Sequence, residues 1–172
     1  ANATYVFAAI PTVTNVSLPS GSLSAGTQTL SKFTISSGGS GTIAWNKLIF
    51  TIGKSANPLL TAFVLKDSDT NTSITGTFAT STGNFNVGTA GTGNVTFTVT
   101  QNGGQEELTS RTYILQATVA GTNVAGDFVN TSIAAGQSSN QATATSTGVA
   151  GSPTFVWSDE SAVSHSTTTS DW

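Results

Sequence analysis

The chain has no cysteine and no methionine, and it holds one histidine, His165, in 172 residues. Without cysteine there is no disulfide framework and no thiolate site for zinc, haem iron or an iron–sulfur cluster. Charge is also scarce. Lys, Arg, Asp and Glu make up 8% of the chain, against about 25% in an ordinary soluble domain. Five basic residues and a net charge of −3 exclude the basic footprint that a nucleic-acid surface needs. Long apolar runs are missing too. Leu59–Leu60 and Ala62–Leu65 are typical of those present, far short of the roughly 20 residues that span a bilayer. Insertion of the mature chain into a membrane is therefore not expected. Apolar residues at i, i+3, i+4 and i+7 over three turns are absent as well, which removes the helical classes.

What is present is neutral and polar. There are 32 Thr, 23 Ser, 18 Gly, 12 Asn and 6 Gln, more than half the chain. Thr, Val, Ile and Phe suit a pleated, half-buried surface. Period-2 alternation marks Asn94–Thr100, where Val95, Phe97 and Val99 share a face. It also marks Tyr113–Val119, where Tyr113, Leu115, Ala117 and Val119 align, and Leu30–Ser36, where Phe33 and Ile35 align. Over 42–52, strict alternation sets Trp45, Lys47, Ile49 and Thr51 opposite Ala44, Asn46, Leu48, Phe50 and Ile52. Both faces are largely apolar, which predicts a central strand.

Gly-, Asn- and Pro-rich turns punctuate these runs. Strands are expected over 3–9, 12–18, 28–36, 42–52, 59–66, 73–80, 84–87, 94–100, 108–119, 124–133, 140–146 and 154–157. Many short strands without helices predict an all-β fold, an antiparallel immunoglobulin-like β-sandwich with an extended N-terminal strand. The expected organisation is a terminal strand over 1–18, a sandwich over 19–157 and a loop-rich segment over 158–172. The start Ala1-Asn2-Ala3-Thr4 suits cleavage of a secretory leader after a small residue, so the expected location is extracellular or at the cell surface. No long apolar helix follows Ala1, which disfavours type IV pilins and archaeal flagellins.

Chemistry is hard to find. His165 lies near Asp159, Glu160 and Asp171, but no Gly-x-Ser-x-Gly elbow accompanies it. Glu106-Glu107 and Asp159-Glu160 are sequence neighbours, which point to opposite faces of a strand and so do not form a dyad. Asp67-Ser68-Asp69-Thr70-Asn71 matches the start of a calcium loop, but Thr72 and Phe78 stand where an EF-hand needs Gly and Glu. Asp67, Asp69 and Asn71 are left as a looser calcium candidate, against the reading of a hairpin turn. Lys32 and Lys47 lie in strand patterns. Each is a candidate for an isopeptide bond to Asn46, Asn94, Asn130 or Asp127, against an ordinary stem reaching the surface. Five Asn-x-Ser/Thr sequons occur, at Asn2, Asn15, Asn71, Asn94 and Asn130. The Ser and Thr content makes such triplets common by chance, and Asn71 and Asn94 are the sites expected at turns or strand edges. No cofactor and no enzyme activity are expected.

The C-terminal segment Phe155-Val156-Trp157-Ser158-Asp159-Glu160 through Trp172 resembles a segment that recurs in uncharacterised secreted surface proteins of candidate-phylum bacteria. Residues Leu23–Gly53 are similar to the sandwich strands that precede it there. In general character the chain also resembles the Thr-, Ser- and Gly-rich subunits of extracellular filaments built by donor-strand complementation. That resemblance implies a homopolymer of identical subunits. A neighbour's N-terminal strand would add to an incomplete sheet. The candidate donor is Thr4, Tyr5, Val6, Phe7, Ile10, Val13 and Val16. An extended arm of about 15 residues reaches about 50 Å. The competing reading makes residues 3–16 the first strand of their own sandwich. The alternative function is a secreted carbohydrate-binding or adhesin module that takes surface glycans on Trp157 and Trp172, with Trp45 and Tyr113 assigned to the core.

Overall fold

The structure, a computed structural model, describes residues 6–18, 21–39, 41–82, 85–101, 106–121, 124–133, 138–139 and 154–160. They form eleven strands and no helix: β1 (Pro11–Asn15), β2 (Gly26–Ser37), β3 (Ile43–Lys54), β4 (Leu59–Asp67), β5 (Gly76–Thr82), β6 (Gly91–Val99), β7 (Glu106–Leu108), β8 (Ser110–Ala120), β9 (Val129–Ile133), β10 (Ser138–Ser139) and β11 (Phe155–Ser158). No helix among the described residues is long and apolar enough to cross a membrane.

Two sheets pack face to face. The first has the order β1-β2-β8-β4, and all its pairs are antiparallel. The second has the order β10-β11-β3-β6-β5, with β7 and β9 also paired to β3. The all-β sandwich expected from the alternation is what the chain adopts. β3 is central, as its two apolar faces require. One edge of β3 takes β7 and then β6; the other takes β11 and then β9.

The alternating residues supply the core. Phe33, Ile35, Tyr113, Leu115, Ala117 and Val119 are buried on the first sheet, and Val95, Phe97 and Val99 on the second. A chain of rings crosses the interior. Trp45 meets Tyr113 edge-on at 5.6 Å, Tyr113 stacks on Phe33 at 5.7 Å, and Phe33 meets Phe50 at 5.8 Å. A second branch runs from Trp45 through Phe97 and Phe78 to Phe63 and Phe85. Each such pair adds about 0.5–1.5 kcal/mol beyond the area it buries.

Several expectations need correction. Strict alternation along 42–52 fails: Trp45, Leu48 and Phe50 all enter one core. The pairing with β11 shifts register here, with Trp157 opposite Trp45 and Phe155 opposite Leu48. Three steps on β3 face two on β11, so one extra residue resets the face. Asn46 and Lys47, inside this irregularity, are buried. The strand expected over 108–119 divides at Thr109, because β7 pairs in the second sheet while β8 crosses to the first. Residues 6–9 and 85–87 are not strand, and 140–146 lie outside the described residues.

Candidate functional site

The N-terminal segment is anchored at a few points and otherwise exposed. Pro11 opens β1, which suits a residue with no N–H to give a ladder. β1 is an edge strand. Pro11 to Asn15 face Ser37 to Phe33 of β2, and Val16 N–H continues the ladder to the Lys32 carbonyl at 2.9 Å. Thr12, Val13, Thr14 and Asn15 are all exposed. The backbone pairing therefore holds the strand with almost no apolar burial of its own.

Residues 7–10 make the firmer contacts. The Phe7 ring lies 5.4 Å from that of Trp157, and Ala9 is buried in the core. Ala8 N–H donates to Asp159 Oδ2 at 2.7 Å, and Gly38 N–H donates to the Ile10 carbonyl at 2.7 Å. The turn between β2 and β3 makes this approach possible. A Cβ on Gly39 would stand 2.6 Å from the Ala8 carbonyl oxygen, and one on Gly38 would stand 2.9 Å from that of Ile10. Both glycines are needed for close backbone approach. The chain beyond β11 is held by Glu160, whose Oε2 accepts from the Thr42 hydroxyl at 2.8 Å.

Around this seat the apolar side chains of the same segment face water. Val6 is 85% exposed and Ile10 54%, and Val13 and Leu18 are exposed as well. These four are the majority of the exposed large apolar side chains among the described residues. Of the expected donor residues, Phe7 and Val16 are half-buried, and Thr4 and Tyr5 lie outside the described residues.

The other candidates fall elsewhere. Asp67 Oδ1 caps a tight turn, accepting from the Asp69 and Thr70 N–H groups at 2.8 and 3.1 Å, while Oδ2 faces Arg111 Nε at 3.4 Å. Asn71, at φ +55°, accepts from Lys66 Nζ at 3.4 Å. Both Asp67 oxygens are thus engaged, one in its own turn and one by Arg111 of β8, and the described residues hold no cluster of three acidic or His side chains suited to a metal. Glu106 is buried and Glu107 exposed, as adjacent strand residues should be.

Trp157 is 5% exposed, so it offers no stacking platform, and its buried indole N–H meets no hydrogen-bond partner among the described residues. Trp45 and Tyr113 are core. Trp172 and His165 lie outside the described residues.

Of the sequons, Asn71 and Asn15 are exposed, and Asn2 lies outside the described residues. Asn94 departs from the expected edge position. β6 lies between β3 and β5, and Asn94 Oδ1 accepts from the Thr51 hydroxyl at 3.0 Å. Asn130 is exposed but its amide lies against Gly53. Among the isopeptide candidates, Asp127 is taken up by its own loop and by the segment between β3 and β4. The Val124 N–H, the Ser55 hydroxyl and the Asn57 amide hold its carboxyl below the ordinary value. Burial pushes Lys47 below the usual lysine value.

Two polar sites were not anticipated from the sequence. Glu106, 1% exposed, accepts from Gln101 and from Arg111, the single arginine of the chain. Lys54, 3% exposed, points Nζ at the carbonyls of Val87 and Thr89 at 2.8 and 2.9 Å and of Ser55 and Ala56 slightly farther away. Burial lowers its pKa. The five-residue spacing of Glu106 and Arg111 was the available signal for the first. Lys54 meets only backbone, which no motif announces.

No protein-family model matches the chain, and neither the curated proteins nor the solved structures compared with it give a significant match.

Proposed function

We propose that the chain is a structural subunit of an extracellular filament or surface layer, assembled head to tail through its N-terminal strand. The observation that supports this reading is the character of residues 6–18. Over 11–15 they form an edge strand joined to β2 by backbone pairing, and Val6, Ile10, Val13 and Leu18 are exposed. Among its described residues Phe7 and Ala9 pack against the core, so withdrawing the segment uncovers a small apolar area, and extended segments add readily to a sheet edge in a partner. A head-to-tail contact does not close on itself and propagates as a fibre. The low charge of the surface limits repulsion between identical copies at high density. The glycan-binding alternative loses Trp157, which is buried, from its stacking pair, and its other member, Trp172, lies outside the described residues.

Negative-stain imaging of the purified chain and of a variant lacking residues 1–15 tests the proposal. Regular fibres or sheets from the full chain, and monodisperse particles from the shortened one, are expected. Fibres from the shortened chain, or none from the full chain at any concentration, would overturn it.

A further inference from the structure

We infer that the seat held by residues 7–15 in their own sandwich is also the acceptor for the same segment of a neighbouring copy. Copies then link by exchanging the N-terminal segment. This rests on the filament reading above and assigns its acceptor to a definite place: the β2 edge over 33–37, the Gly38-Gly39 turn, Trp157 and Asp159.

The seat fits this segment closely. Two glycines make room for two of its carbonyls, Asp159 meets the Ala8 N–H, and five residue pairs join β1 to β2. Every copy carries the same groups, so an exchanged segment recovers each of these contacts. The arrangement within one chain also leaves surface unused. Val6, Ile10, Val13 and Leu18 are exposed. Exchange sets a second sandwich beside those side chains, so the linked form adds burial to a set of contacts it already retains. Between Asn15 and Gly26 lie residues 16–25, a length that spans about 35 Å when extended. The shallow groove bordered by Leu18, Leu23, Leu30 and Phe128, near the other end of β2, offers no comparable backbone fit to this segment.

The absence of native cysteine makes a disulfide test clean. Thr12 and Ser36 stand directly opposite each other across β1 and β2. Thr12→Cys and Ser36→Cys are prepared as separate variants, mixed at assembling concentration and oxidised, and the linked peptides are identified by mass spectrometry. A Thr12→Cys chain bonded to a Ser36→Cys chain is the expected product. The double variant is expected to run as a ladder on a non-reducing gel when assembled, and as a monomer when dilute. Assembled material with no mixed bond, while the double variant closes only within one chain, overturns the acceptor and leaves the filament reading standing. If nothing assembles and no mixed bond forms, both fall.

Discussion

The indole N–H of Trp45 donates to the Tyr113 hydroxyl at 3.1 Å, linking the central strand of one sheet to an inner strand of the other. Both residues are fully buried. Two amphipathic rings thereby satisfy each other in the middle of an apolar core, where an unmade bond is expensive.

Tyr113→Phe keeps the ring contacts with Trp45 and Phe33 but strands the Trp45 N–H. The expected loss is about 1–3 kcal/mol, the cost of a buried donor without a partner. Urea unfolding of the variant against the parent measures it. A midpoint within error of the parent would show that the bond contributes nothing net.

Alkaline pH should act on the same hydroxyl. Burial, aided by the nearby Glu106 charge, pushes Tyr113 above its ordinary value of 10.0. The folded state therefore keeps its proton when the unfolded chain has begun to lose one. Stability from this group is fully present below about pH 10 and is lost as pH rises further, because the unfolded state gains by ionising. In a Tyr5→Phe background, tyrosinate absorbance should appear only together with loss of the folded circular-dichroism signal. Ionisation near pH 10 in a chain that stays folded would contradict this.

Glu106 and Arg111 form the main ion pair across the start of β7 and β8. Their spacing follows from the strand break at Thr109, which swings Arg111 into the other sheet and back toward Glu106. Glu106→Ala would leave Arg111 and Gln101 without their shared acceptor. A cost of about 3 kcal/mol is expected, the low end for breaking a buried pair, because Arg111 keeps Asp67 and about a third of its side chain remains exposed. Calorimetric melting of the variant is the measurement. Glu106→Gln, which retains an acceptor, should recover part of the loss, and equal losses for Ala and Gln would argue that charge alone matters.

The sequence made the sandwich legible because alternation survives wherever one face is buried. Phe33 with Ile35, Tyr113 through Val119, and Val95 through Val99 all lie inward as their period requires. It misled at Trp45 and Lys47 because a single extra residue inverts every facing beyond it, and no residue type marks that insertion. The seat of the N-terminal segment was illegible for a different reason. It joins the Ala8 N–H, a group nearly every residue carries, to the Asp159 carboxylate 151 positions away. Gly38 and Gly39 were visible as a turn, but their second use, as clearance for another chain segment, belongs to tertiary packing.

That clearance yields the sharpest test of the seat. In Gly39→Ala the added Cβ would meet the Ala8 carbonyl oxygen at 2.6 Å and the Ala9 Cα at 3.3 Å. Both are backbone atoms, so no rotamer change relieves the contact, and either the turn or the segment must move. The turn is tied on one side to β2 and on the other to β3, the most heavily paired strand. The segment is held by a few bonds, so it should give way. Overpacking of this kind costs about 1–3 kcal/mol, here taken mostly as local detachment of residues 7–10 while the core stays folded. Hydrogen exchange should speed at the Ala8 and Gly38 amides and remain slow at Leu115 and Phe97, and protease cleavage before Pro11 should quicken. Unchanged protection at Ala8 would mean that the segment is not seated on this turn.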